Sequence, residues 1–247
     1  MKILFLTVIL CLLILTKLSL SALIDVDISE NIKSKIIYEN NSISFDIVNF
    51  STEFYNIGSV PYSARARIFV YNDNKLIFNG WSQEKDLMPG DKKTFNIYWY
   101  VSSPGKYESK LRLYFGNEIN ESEKKELQIG ETLIPEDIFE INNFRTYDNY
   151  VIFDVKSKKD AKNVIIIPSK YVSGWIFEQK TIDSIKKDSI KTVKINYYPT
   201  LWKPTTLKLS IVAENGKYYS EKDLEMKKEE GIIGMIYSIL DSLKAIL

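Results

Sequence analysis

Between residues 23 and 225 the apolar positions come in short runs that alternate with polar ones, and turn-forming residues separate the runs. A period of two sends successive side chains to opposite faces of a strand, so this pattern predicts half-buried antiparallel strands. Ala64-Arg65-Ala66-Arg67-Ile68-Phe69-Val70-Tyr71 reads as one strand, Asn72-Asp73-Asn74 as a hairpin loop, and Lys75 to Trp81 as the returning strand. Asn and Asp suit such a loop because they tolerate left-handed backbone. Pro89-Gly90 supplies the fixed φ and the positive φ of a type II turn, after which Lys92 to Tyr100 runs as a strand. Pro104-Gly105 turns the chain again into Lys106 to Phe115. No helical period interrupts this stretch, so residues 23–130 are expected to form an all-β sandwich.

Gly130 to Asp137 reads as a short linker into a second strand series over residues 137–225. Its expected strands are Ile138 to Asn142, Tyr150 to Lys156, Asn163 to Ile167 and Trp175 to Ile182. Ser189 to Tyr197, Thr205 to Ala213 and Lys217 to Leu224 follow. Asn215-Gly216 marks the last hairpin. Shifting the chain by 98 residues lays Lys93-Thr94 on Lys191-Thr192, Ile97 on Ile195, Tyr100 on Tyr198, Leu111 on Leu209 and Leu113 on Ile211. A repeat of that length suits two tandem sandwiches of the immunoglobulin-like size.

The two ends break the pattern. Lys2, the apolar run Ile3 to Leu15, and Ser19-Leu20-Ser21 before Ala22 read as a signal peptide over residues 1–21, expected as a helix in the membrane during export. The run is about a dozen residues, short of the roughly 20 needed to span a bilayer. After Lys227-Lys228-Glu229-Glu230, Ile232, Ile233, Ile236, Ile239, Leu240 and Leu243 fall on one stripe of an expected amphipathic helix over residues 231–247. At ~1.5 Å per residue it reaches about 25 Å, so it is expected to lie on a membrane interface or a partner and not to cross a bilayer.

Composition narrows the chemistry. The chain has no His, and its one Cys, Cys11, lies in the signal segment. The exported chain therefore lacks the side chains most used for nucleophilic, acid–base and zinc chemistry near neutral pH, and it can form no disulfide. Loss of Lys2 and Lys17, with no acid lost, takes the formal charge from +1 to −1. A balanced chain has no electrostatic reason to seek nucleic acid. Abundant Lys and scarce Gln lean toward an archaeal or bacterial surface protein.

Five motifs lie between Glu53 and Ser122: Asn56-Ile57-Gly58-Ser59, Leu87-Met88-Pro89-Gly90, Trp99, Gly105-Lys106-Tyr107 and Asn117-Glu118-Ile119. Together they resemble the CARDB-type surface domains of archaea and bacteria, an immunoglobulin-like family related to cell-adhesion modules. The resemblance implies a seven-stranded sandwich, an extracellular location and no catalytic centre. It also implies that Tyr107 serves as the hydroxyl-anchored tyrosine of a sandwich corner.

Candidate chemistry is sparse. Without His there is no Ser-His-Asp triad. The Ser-x-x-Lys spacings at Ser82/Lys85, Ser103/Lys106, Ser122/Lys125 and Ser184/Lys187 are what a Lys- and Ser-rich chain supplies by chance. Asp25 and Asp27, and Glu118, Glu121 and Glu123, are the carboxylate groups that could serve glycan cleavage or calcium. Sequons stand at Asn40, Asn49 and Asn120, with Asn49 inside an expected strand. The sharpest surface feature comes from alternation: with Ala64, Ala66, Ile68, Val70, Phe95, Ile97, Trp99, Leu111, Leu113 and Phe115 inward, Arg65, Arg67, Phe69, Tyr71, Tyr98, Tyr100, Arg112 and Tyr114 face out. If their three strands are neighbours, three arginines and four tyrosines share one face, as either an interface anchor or a self-satisfied ladder.

The sequence thus points to an exported, non-catalytic cell-surface protein that needs no cofactor. It would bind a protein or glycan partner and be held near the membrane by its C-terminal helix. The alternative is an exported enzyme or enzyme accessory subunit with a carboxylate site.

Overall fold

The structure is a computed structural model describing residues 33–37, 47–58, 60–116, 118–130, 132 and 134–227. The signal segment 1–21, the C-terminal stripe of residues 231–247, Asp25, Asp27 and Asn40 lie outside the described residues. Among the described residues there is no α-helix, and no helix long and apolar enough to cross a membrane.

Nine strands build the first unit: β1 (Lys33–Ile37), β2 (Ile47–Tyr55), β3 (Tyr62–Asn72), β4 (Lys75–Trp81), β5 (Lys85–Leu87), β6 (Lys92–Tyr100), β7 (Gly105–Phe115), β8 (Glu118–Glu121) and β9 (Lys125–Ile129). One sheet runs β1-β2-β6 and the other β4-β3-β7-β8, with β5 on β3 and β9 on β7. Each edge of the second sheet is therefore shared by two short strands. Eight strands build the second unit: β10 (Phe139–Thr146), β11 (Tyr150–Ser157), β12 (Ala161–Lys170), β13 (Ile176–Phe177), β14 (Lys180–Ile185), β15 (Ile190–Tyr198), β16 (Thr205–Ala213) and β17 (Tyr218–Met226). Its sheets run β10-β11-β15-β13 and β14-β12-β16-β17. Every strand pairing is antiparallel apart from isolated bridges.

The two units share one plan. In each, the first, second and sixth strands (β1, β2, β6 and β10, β11, β15) lie in one sheet, joined in the second unit by β13, and the other strands pair around two central ones (β3, β7 and β12, β16). This is the order of immunoglobulin-like sandwiches. The 98-residue shift carries β6 onto β15 residue for residue, β3 onto β12 and β7 onto β16. Ile97/Ile195, Leu111/Leu209 and Leu113/Ile211 are buried at matching places in the two cores.

Local chemistry sets the turns. Asp73 and Asn74 adopt φ 48° and 63°, the left-handed pair of a two-residue hairpin that matches strand twist. Gly90 sits at φ 84° and the Asp91 N–H bonds Met88 O at 2.9 Å, closing the expected type II turn. Asn56 is fully buried and ties this corner together. Its Nδ2 donates to Val60 O at 2.9 Å and Leu87 O at 3.0 Å, and its Oδ1 accepts the Gly58 N–H at 2.9 Å. Tyr107 packs edge-on to Trp99, and its hydroxyl donates to Ser103 O at 2.8 Å. That is the anchored tyrosine expected from the resemblance.

One expected strand is not continuous. Trp175 to Ile182 divides into β13 and β14, which belong to different sheets, with Glu178-Gln179 as the crossing. The cause is tertiary: β13 covers the edge of β15, β14 pairs with β12, and the crossing residues leave their own sandwich to meet the first. The linker also ends early, because the Glu136 N–H bonds Lys217 O at 3.0 Å and Glu136 O accepts from Tyr219 at 3.1 Å. The Asn215-Gly216 hairpin closes through a short 3-10 turn, Glu214–Gly216, whose residues all have positive φ.

The sandwiches meet through polar and apolar contacts. Gln179 Oε1 accepts the Tyr98 N–H and Gln179 Nε2 donates to Tyr98 O, both at 2.7 Å. Glu178 Oε1 accepts the Glu84 N–H at 3.2 Å, and Gln83 Nε2 donates to Gln179 O at 3.3 Å. Ile165, Ile167 and Val212 of the second unit join the core of the first, and Tyr100 stacks on Tyr219 with centroids 4.0 Å apart. The core of the first unit is thus extended across the junction by Ile165, Ile167 and Val212.

Candidate functional site

Two surfaces concentrate chemistry. The first is the outward face of β3, β4 and β7. Register puts Arg67 opposite Arg112 and Arg65 opposite Tyr114 across the β3–β7 pair, with Trp81 opposite Arg67 on β4. Two guanidinium groups facing each other would repel, and the surroundings answer this. The Arg67 guanidinium lies 4.4 Å from the Phe69 ring centroid and 4.7 Å from that of Trp81, while Arg112 lies 5.2 Å from Phe69. Arg67 also donates to Asn79 Oδ1 at 3.1 Å. Arg112 pairs with Glu121, which Lys110 also holds. These two cations keep the Glu121 carboxyl below the usual carboxylate range, and the Tyr114 hydroxyl bond helps raise Arg112 further.

Arg65 pairs with Glu84 at 2.6 Å and lies 4.6 Å above the Tyr198 ring. Tyr71 receives Lys124 at 5.2 Å, and Trp81 meets Tyr114 at 5.1 Å. Among the described residues, no acceptor meets Arg65 Nη1, Arg67 Nε, Trp81 Nε1 or Arg112 Nε.

The structure thus brings together Arg65, Arg67, Phe69, Tyr71, Arg112 and Tyr114, and adds Trp81, which sequence reasoning left out. Tyr98 and Tyr100 do not belong with them. Alternation placed all eight side chains outward as expected, but β6 lies in the opposite sheet from β3 and β7, so its outward face points the other way. There Tyr98 meets Gln179 and Tyr100 meets Tyr219 at the junction, and burial pushes the Tyr98 hydroxyl up from its ordinary pKa.

Other sequence candidates are placed as follows. Asn49 lies on β2 paired opposite Tyr98, with Nδ2 3.4 Å from Asn96 Oδ1 at an exposed contact. Asn120 lies on the short edge strand β8. Glu118 and Glu123 are exposed, and Glu121 is taken up by its ion pairs.

The second surface is a cleft of about 1070 Å³ between the sandwiches. One wall is the β3–β4 hairpin with Leu76, Ile77 and Phe78, and another is the β6–β7 connection with Ser102 and Ser103. The floor is the outward face of β12, β16 and β17. On it the buried Ser210 hydroxyl donates to Ser169 Oγ at 3.1 Å and lies 3.2 Å from the Tyr219 hydroxyl. Tyr219 donates to Glu221 Oε2 at 2.6 Å and Lys208 Nζ to Glu221 Oε1 at 2.7 Å. Burial works against the Glu221 charge, but Lys208 and the Tyr219 hydroxyl outweigh it and hold the carboxyl below its usual range. Nearby, the Tyr171 hydroxyl lies 3.1 Å from Asn79 Oδ1, and burial pushes its pKa well up.

Sequence reasoning missed this cleft. A signal existed: Lys208 and Ser210 on one strand, with Tyr219 and Glu221 on the next, sit outward on either side of the Asn215-Gly216 hairpin.

No family model and no curated protein matches the chain. Solved structures similar to it include red sea bream transglutaminase, at 10% identity over 81% of this chain and 32% of that one, with TM-score 0.28. The Amycolatopsis orientalis exo-chitosanase CsxA is 12% identical over 71% of this chain and 25% of that one, with TM-score 0.28. The fibronectin(III)-like modules of Clostridium thermocellum CbhA are 11% identical over 80% of this chain and 93% of that one, with TM-score 0.23. The chain spans about a third of the transglutaminase and a quarter of the chitosanase. At such scores the likeness says nothing about activity.

Proposed function

We propose that this is an exported, non-catalytic cell-surface protein that recognises a protein or glycan partner through the outward face of β3, β4 and β7. Its C-terminal helix holds it near the membrane on the extracellular side, and its first sandwich is a CARDB-type module. The observation that carries the reading is the row of Arg65, Arg67 and Arg112 set among Phe69, Trp81 and Tyr114 on one sheet face. Arg and large aromatics are the residues from which interface anchors are made. The carboxylate-enzyme alternative would rest on a second groove, lined by Asp73, Glu108 and Glu126, since the cleft has Glu221 as its one acidic lining residue among the described residues.

The test is retention on purified cell-envelope material, comparing the unaltered chain with Arg112→Ala and Tyr114→Ala. Retention that falls at least tenfold in both variants, with melting temperatures kept, supports the reading. Undiminished retention in both would sink it.

A further inference from the structure

We infer that the cleft between the sandwiches is a saccharide site that takes a short, uncharged oligosaccharide. The inference rests on reading the chain as a binder, but it concerns a different surface from the arginine face, so either can fail without the other.

Four features converge on this ligand class. Ligand sites favour junctions between domains, and about 1070 Å³ is ample for several linked sugar rings. A sugar hydroxyl both donates and accepts, so its site needs fixed groups of both kinds. Here Lys208 donates, Glu221 accepts, and Ser169, Ser210 and Tyr219 do either, all tied into one network. Because Lys208 and Tyr219 keep Glu221 ionised, it stays an acceptor that can strengthen a ligand hydroxyl bond by its charge. The stacked Tyr100–Tyr219 pair and the Leu76 and Ile77 wall supply apolar surface for the C–H faces of sugar rings.

Charge and backbone argue against other occupants. Lys170 and Lys208 against Glu221 leave the lining too nearly balanced to select a polyanion. The floor is the side-chain face of strands whose main-chain groups are already spent on pairing β12 with β16 and β16 with β17. The middle of that floor therefore offers an extended peptide no free ladder, and the main-chain edges bordering the cleft include those of β4 and β17. The walls do not have to be ordered on binding, because Gln179 fixes β6 of one sandwich to the crossing segment of the other.

The test is calorimetric titration of the full chain with cellotetraose, maltotetraose, xylotetraose, mannotetraose and chitotetraose, with decaproline as a peptide probe. At least one sugar should saturate the protein. Glu221→Gln should weaken that binding at least tenfold, and so should Tyr219→Phe, which keeps the ring stack and guards against a folding artefact. Asp183→Ala, at an exposed position of β14 outside both surfaces, should leave it unchanged. Saturation by none of the sugars overturns the inference, as does decaproline binding in their place. Sugar binding that survives both cleft variants places the ligand elsewhere and overturns it too.

Discussion

The side-chain amide of Gln179 bonds both main-chain groups of Tyr98, so one glutamine stands in for a residue of a neighbouring strand. Tyr98 lies on β6, the edge of its sheet, and its outward N–H and C=O are the groups an absent strand would pair. A bare edge invites pairing with other chains, and here the second sandwich caps it. Gln179→Ala removes both bonds and leaves two main-chain groups unpaired at a part-buried contact. The expected cost is about 2 to 4 kcal/mol. Urea unfolding should show it as a lower midpoint, together with a split into two transitions as the sandwiches uncouple. A single transition at the unaltered midpoint would mean that the amide contributes nothing to the junction.

Asn56 is the corresponding device inside the first sandwich. Its side chain serves three main-chain groups in two different turns while fully buried. Asn56→Ala should cost about 3 kcal/mol or more by leaving those groups unpaired. Asn56→Asp should not rescue it, since a carboxylate cannot donate to Val60 O or Leu87 O. Rescue by Asp in thermal melts would show that only the Gly58 bond matters.

Tyr107 allows a cleaner measurement, because Tyr107→Phe removes one hydroxyl and keeps the ring against Trp99. The loss of the bond to Ser103 O should cost about 1 kcal/mol, whereas Tyr107→Ala should cost about 3 to 5 through the emptied core. Equal effects of the two in denaturant titration would mean that the ring makes no net contribution.

Much of this fold was legible because it is local. Lys75 to Trp81, Lys92 to Tyr100 and Thr205 to Ala213 are strands at the bounds their alternation predicts, and Asp73-Asn74 and Pro89-Gly90 turn where their φ preferences require. What could not be read is which strands share a sheet. Alternation tells inward from outward on a strand, but Tyr98 and Tyr100 were set beside Arg65 and Tyr114 because nothing local separates β6 from β3 and β7. The division of Trp175 to Ile182 is of the same kind. Glu178-Gln179 does interrupt its apolar pattern, and those polar residues are buried because the first sandwich meets them. The cleft needs three strands and a neighbouring domain, so the alternation of Lys208, Ser210, Tyr219 and Glu221 about their hairpin marks a polar face but not Ser169 or the walls that enclose it.

Alkaline pH should find the junction first. Tyr98, Tyr171, Tyr198 and Tyr219 stand there, and burial is the leading cause that raises each hydroxyl above its ordinary pKa of 10.0. Glu178 and Glu84 raise Tyr198 further, and the Glu221 bond does the same for Tyr219, while Arg67 pulls slightly the other way at Tyr171. For an acid whose folded pKa lies above its unfolded one, the folded state holds the proton longer. Its stability contribution is complete below pH 10 and is lost as pH rises from there through the raised folded values. The urea midpoint should therefore be insensitive to these groups from pH 7 to 9 and fall steeply above about pH 10. Tyrosinate absorbance should show this set ionising together with loss of structure and not before it. Lysines titrate in the same window, so the control is Tyr171→Phe combined with Tyr198→Phe, which should flatten the fall. If the double variant leaves the alkaline slope unchanged, the tyrosines do not govern it and the ion pairs of lysine do.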